Sequence, residues 1–265
     1  MTTEAVRWAD LLREEFLERQ RAFPVVYLPM GMCEPHGHVA AFGLDTHKAD
    51  HLCDEAARRF GGIVAPTQGY HIHESGIHRP WLAEVAGDVN PRMAALPPDL
   101  VIRTLVFQLR AFVNAGFHTV AVISGHNGPQ PDLRIGAEEF TTAHPEVDVH
   151  VVSDPELVMG RFEGDHAGLY EVSQLLHIRP DLVDLRRLDR VATDPLGRFA
   201  QNPDAGKASA AHGEAIIEAS LDAIGEMVAG AADRRADLPT VSIESCEAIW
   251  TRVAARSDEW VTLDR

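Results

Sequence analysis

His118-Thr119-Val120-Ala121-Val122-Ile123-Ser124 runs directly into Gly125-His126-Asn127-Gly128. The first seven residues are mostly branched and apolar and follow Gly116, so they read as a strand buried on both faces. The glycines end that strand and leave an imidazole at its exit. The same layout occurs earlier, where Val25-Val26-Tyr27-Leu28-Pro29 leads through Gly31 to Glu34 and His36. Further strands are expected at Ile63-Val64-Ala65-Pro66 and from Val147 to Val152. Between them, helical spacing governs residues 46–60, Leu96 to Asn114 and Asp132 to His144, with Gly61-Gly62 and Gly116 as stops. Strands that are apolar nearly throughout and alternate with helices predict an α/β fold. Its form is a three-layer sandwich, a mostly parallel sheet covered by helices on both faces, with right-handed crossovers.

Toward the N-terminus, apolar residues at 8, 11, 12 and 16 predict an amphipathic helix that ends near Phe23-Pro24. Residues 67–90 keep no period and predict a long irregular excursion, a length that in compact domains is usually functional. The stretch 194–207 reads as a surface loop before a helix from His212 to Ala229. With no linker-like shift in composition and no internal repeat, residues 1–265 read as one domain.

The chain has 265 residues, 45% of them hydrophobic and 24% charged, which excludes whole-chain disorder. Its formal charge of −16 repels phosphate backbones and anionic lipid, so no nucleic-acid partner is expected. No membrane partner is expected either. There is no apolar run of the ~20 residues that a bilayer needs, and Met1-Thr2-Thr3-Glu4 does not open like a secretory signal, so a cytoplasmic location is expected. Three cysteines without a CxxC suggest neither a disulfide framework nor a zinc ribbon. Fourteen histidines point instead to metal or acid-base sites. Trp8, Trp250 and Trp260 read as packing residues.

In parallel sheets, ligands gather beyond the carboxyl ends of the strands. There Glu34 and His36, two apart, project to the same side of an extended segment, and Asp45 can return on the loop. A carboxylate, an imidazole and a second carboxylate suit Zn or Mn. His126 occupies the matching place after the clearest strand. A third cluster, Gly164-Asp165-His166-Ala167-Gly168-Leu169-Tyr170-Glu171, puts Glu171 in the first turn of a helix, five residues after His166. Any one cluster alone is more often a surface or capping feature. Three at corresponding places in an alternating fold favour a joint metal site.

With these motifs the chain resembles the creatininase (creatinine amidohydrolase) family. The family's Pro-x-Gly-x-x-Glu-x-His-Gly followed by Asp is matched by Pro29, Gly31, Glu34, His36, Gly37 and Asp45. Its Gly-Phe ahead of a strand ending in Gly-His is matched by Gly116-Phe117 and Gly125-His126, and its His-Ala-Gly-x-x-Glu by His166-Ala167-Gly168 and Glu171. A later Ala-Ser-x-x-x-Gly is matched by Ala208-Ser209 and Gly213, so the likeness runs in order from Trp8 to about residue 230.

The resemblance implies two divalent metal ions, Zn or Mn, bridged by an aspartate. Carried over, Glu34, Asp45 and His126 hold one ion, and His36, Asp45 and Glu171 hold the other. Creatininase proper takes a ligand from a glutamate two residues after the Gly-His histidine; that position is Gly128 here, so Glu171 is expected to stand in. His166 is the candidate catalytic proton shuttle, with orientation of Glu171 or of a backbone carbonyl as its other reading.

The chain departs from the family where many members carry Phe-Pro-Gly-Thr. It has Tyr70-His71-Ile72-His73-Glu74-Ser75-Gly76-Ile77-His78-Arg79-Pro80-Trp81, with Ala86-Gly87-Asp88 the nearest echo. Tyr70, His73, Glu74 and Trp81 are candidate substrate-binding residues, an exposed loop or subunit contact being the alternative. The family implies a small-molecule substrate and a homo-oligomer, often a hexamer. Its activities include ring opening of creatinine, formamide hydrolysis, peptide processing and carbon–carbon ring opening of keto-inositols. Amide-type C–N cleavage is the first expectation and keto-inositol ring opening the second. A non-catalytic metal- or ligand-binding protein is the reading from another class.

Overall fold

A computed structural model describes residues 5–86, 90–192, 202–233 and 237–264. Strand β1 (Val25–Met30) is buried along its whole length, because it pairs on both sides. On one side lies β2 (Ile63–Val64); on the other lie β5 (Thr119–Ser124) and then β6 (Asp148–Ser153). All pairs are parallel, in the order β2-β1-β5-β6, with Met30 opposite Ser124 and Ser124 opposite Ser153. The three long strands therefore end level, at one rim of the sheet.

The pleat divides the core in two. Val26, Leu28 and Met30 join Val120 and Val122 against α4 (Pro98–Asn114), α5 (Gln130–Ala143) and α9 (Ile243–Ala255). Val25, Tyr27, Ala121 and Ile123 face the other way, onto α2 (Leu44–Phe60) and α8 (Ala210–Val228). This is the expected α/β sandwich of helices on both faces of a parallel sheet. The chain leaving β1 enters α2 on one face, and the chain leaving β5 enters α5 on the other, so a crevice opens between these two strand ends. Trp260 is buried in the first of these clusters, and Trp8 and Trp250 pack against it.

Three expectations need correction. The N-terminal helix is split into a 3-10 turn at Trp8–Asp10 and α1 (Arg13–Ala22). The Glu15 carboxylate accepts from the Leu12 backbone N–H and starts the helix there, while Trp8 packs on Phe16 and Phe117. The second strand is two residues long, not four. The excursion from 67 to 90 is also partly ordered. His71–Ile72 (β3) pairs in parallel with Ala95–Leu96 (β4), and His78–Val85 forms α3. Pro80 sits in the first turn of α3, where backbone N–H groups have no helical partner to lose.

Two further short α-helices are α6 (Asp154–Leu157), directly after β6, and α7 (Leu169–Ile178), packed on α8. In the expected loop at 194–207, residues 194–201 lie outside the described residues, as do Gly87 and Asp88; Pro203–Lys207 is a 3-10 turn. Among the described residues no helix is long and apolar enough to cross a membrane.

Candidate metal centre

Glu34 and His36 leave the end of β1, Asp45 lies in the first turn of α2, His126 follows β5 and Glu171 lies in the first turn of α7. The fold brings all five together at the rim of the sheet, and all five are buried. Glu34 Oε1 is 2.7 Å from His126 Nδ1, which is 3.6 Å from Asp45 Oδ2. On the other side of Asp45, Oδ1 is 3.3 Å from His36 Nε2, itself 3.5 Å from Glu171 Oε2. Asp45 thus lies between two triads, Glu34/Asp45/His126 and His36/Asp45/Glu171, each with ligand atoms within 4.8 Å of one another.

Local structure fixes each side chain. His36 Nδ1 donates to the Glu34 carbonyl at 3.0 Å, which turns Nε2 toward the carboxylates. Gly125 lets the loop after β5 lie against α2: a Cβ there would come within 2.0 Å of the Asp45 carbonyl oxygen. Asp165 accepts from the backbone N–H groups of Gly168, Tyr170 and Glu171, which sets the start of α7.

The charges balance by mutual attraction. Burial alone would raise the Glu34 carboxyl, but His126 and His166 outweigh it and hold Glu34 well below the usual carboxylate range. Burial likewise opposes the charge on His36 and His126, yet Asp45, Glu171 and Glu34 push the first up to about 9, and Glu34 and Asp45 push the second to about 10. Against burial, Lys48 and His36 bring Glu171 down to about 2. Even so, Glu34 Oε2, His36 Nε2, both Asp45 oxygens and His126 Nε2 are buried without a hydrogen-bond partner. Unpaired buried carboxylate oxygens are costly. A divalent cation in each triad would satisfy them, and a mixed carboxylate and imidazole set suits Zn or Mn.

A cavity of about 780 Å³ opens over these residues. His166 is on its lining, its ring stacked on His36 at a centroid distance of 4.7 Å. Its Nε2 donates to the Pro35 carbonyl at 3.0 Å, and its Nδ1 is 3.9 Å from Glu171 Oε2. The opposite wall comes from the 67–90 excursion. His73 Nε2 is 3.3 Å from Glu34 Oε2, His78 stacks on His73 at 4.4 Å, and Trp81 stands edge-on to His166 at 5.1 Å. Burial, with His73 and His126 nearby, holds His78 down at about 3, so its imidazole is neutral.

A family model described as creatininase, creatinine amidohydrolase, matches residues 9–228. The chain belongs to the creatininase family. It is 26% identical over 236 residues to the creatinine amidohydrolase of Pseudomonas putida, covering 77% of this chain and 88% of that one. A crystal structure of creatinine amidohydrolase superposes with a TM-score of 0.72 at 23% identity, over 89% of this chain and 100% of that one. A Zn–Zn form of a mutant creatininase and a Mn creatininase, each 23% identical, superpose at 0.71 and 0.70. They cover 85% and 84% of this chain and 98% and 97% of their own. At the level of the family, the chain is a metal-dependent hydrolase.

Against the family pattern, the position two residues after His126 is filled from elsewhere. Gly128 has φ +121, and a Cβ there would lie 2.4 Å from Cε1 of His78. The departure at Gly128 and the departure in the excursion are therefore in contact.

Of the four candidate pocket residues, His73 and Trp81 line the cavity, whereas Tyr70 and Glu74 do not. Tyr70, just before β3, is 55% exposed, whereas His71, Ile72 and His73 are all buried. Glu74 sits at a turn with φ 61 and is exposed.

Three buried polar residues beside the site are not among the sequence candidates. His71, buried beside His126, is 3.2 Å from Ser124 Oγ through its Nε2. Lys48 lies on the buried face of α2, three residues after Asp45, a place where a lysine is itself a signal. Asp154 follows the end of β6, where the rule that ligands gather at strand ends could have found it.

Proposed function

We propose that this protein is a dinuclear hydrolase of a small, polar, cyclic substrate, cleaving an amide-type carbon–nitrogen bond. The observation that carries this reading is one aspartate, Asp45, shared by two buried triads at the floor of a cavity. Glu34, Asp45 and His126 would hold one ion and His36, Asp45 and Glu171 the other, the ions being Zn or Mn as in the superposed relatives. Bound there, such a pair supplies Lewis acidity: it polarises a carbonyl and makes a water acidic near neutral pH.

The chain's own residues do the rest. The His36 ring, fixed through Nδ1, keeps Nε2 available to an ion. His166 donates from Nε2 to Pro35, so its neutral tautomer carries a free lone pair on Nδ1, facing the floor. That atom can accept a proton and return it to the leaving nitrogen. His73 and Trp81 orient the ring and cover it on one side.

A second reading, carbon–carbon ring opening of a keto-inositol, is favoured by the imidazole wall. His73 and the neutral His78 offer hydrogen bonds suited to hydroxyl groups. That reaction uses the same polarised carbonyl, and His166 would then protonate carbon. Assays of the Zn- and Mn-loaded protein on lactams, formamides and keto-cyclitols separate the two. Metal-dependent product from lactams or formamides supports the first reading, and product from keto-cyclitols alone supports the second. Bound metal without turnover of any of them would make the protein a binding protein.

A further inference from the structure

Lys48 is 1% exposed, and its ammonium is surrounded by three carboxylates. Nζ is 2.7 Å from Glu171 Oε1, 3.3 Å from Asp154 and 3.9 Å from Asp45 Oδ1. Asp154 is completely buried and is held from its other side by Gln174, whose Nε2 donates to Oδ2 at 3.1 Å. A lysine out of water in this way is retained only if its pairing is close to complete. Here the pairing reaches one particular atom. Glu171 Oε1 points to Lys48, and Oε2 accepts from the Ala167 backbone N–H at 2.9 Å. Ala167 holds a left-handed φ of 52 to present that N–H. With both oxygens held, Oε2 is fixed 3.5 Å from His36 Nε2.

Position 128 cannot supply the equivalent carboxylate, since His78 fills the space a side chain would use. In this chain the carboxylate beside His36 comes from the first turn of α7 instead of from the loop after β5. The Ala167 N–H at the start of α7 holds only Oε2; Oε1 is held from α2, by Lys48.

We infer that Lys48, braced by Asp154, is the positioning residue that makes Glu171 a ligand of the second ion. The inference rests on the dinuclear reading above. Lys48 is absent from the lining of the cavity and acts through Glu171, beneath the floor. Charge supports the arrangement: Lys48 offsets Asp154, so adding this buried carboxylate leaves the charge presented to the two ions unchanged.

The test is manganese titration of the metal-free protein, followed by electron paramagnetic resonance. Wild type should give the signal of an exchange-coupled pair at two equivalents. Lys48→Met should weaken the second ion about tenfold or more, the range for lost outer contacts to a ligand, and give an uncoupled signal at one equivalent. Because Lys48→Met leaves Asp154 buried and unpaired, the charge-balanced variant Lys48→Met with Asp154→Asn is measured beside it, with a thermal melt on each. A lysine with only a structural role would lower the melt and leave the coupled signal in place. Coupled spectra with wild-type affinity in the double variant overturn the inference, as does loss of both ions together. No coupled pair in wild type would instead overturn the dinuclear reading itself.

Discussion

The floor of the cavity is built from the ends of β1 and β5 and the first turns of α2 and α7; one wall is the segment after β6, from Asp154 to His166, and the other comes from the segment between β2 and β4. The floor inherits its precision from the sheet. Met30 and Ser124 are level in register, so the residues just beyond them meet without further instruction. This second wall is held by other means: a two-residue strand pair, an eight-residue helix and the His73 and His78 rings tilted against His126. A site of this kind can keep its chemistry in the floor while its substrate is decided in the wall.

Breaking the floor should do the most damage. Asp45→Ala leaves each triad two side chains, so both ions should be lost and turnover should fall by roughly 10³-fold or more. Metal analysis that still finds two equivalents would contradict the shared aspartate. Next in size is His166, which touches both regions through His36 and Trp81. His166→Ala should keep both ions and lower kcat by about 10²- to 10⁴-fold, the range for a lost general acid or base. If it served only to orient Glu171, metal affinity would fall instead.

The same contrast explains what could be read from sequence. Strands apolar on both faces, such as 119–124, carry a pattern that little besides a buried parallel strand produces, and the site follows from where such strands end. Glu34, His36, Asp45 and His126 were therefore within reach of chain position alone. Glu171 stood out in the third cluster, but its pairing with His36 and Asp45 needed the family pattern, because its neighbourhood is set by α7 packing against α2 and α8. Lys48 was hidden by its type, since a lysine on a helix is ordinarily solvated and only the tertiary fold shows three carboxylates around it. In the excursion, β3 and α3 are too short to establish a period, and Pro80 disguises a helix start as a break.

Trp81 tests whether the wall governs binding. It packs by its ring against His73 and His166 and holds no floor residue in place by a hydrogen bond. Trp81→Ala should raise KM by roughly tenfold, about 1.4 kcal/mol of lost contact, with kcat and metal content nearly unchanged. A fall in kcat with constant KM would mean that the ring acts on His166 in the transition state.

Tyr70 carries the smallest expected effect and draws the edge of the wall most finely. It lies three positions before His73, yet its side chain is 55% exposed while His73 is buried. Its backbone carbonyl, which accepts from the Gln68 amide, survives any side-chain truncation. Exposed substitutions of this sort shift stability by no more than about 0.5 kcal/mol, so Tyr70→Ala should leave KM and kcat within roughly twofold of wild type. Steady-state kinetics on the same substrate as the Trp81 variant makes the comparison direct. A tenfold change in KM on truncating Tyr70 would require the ring to meet the substrate, which from its place on this chain it can do only in a site completed by another molecule.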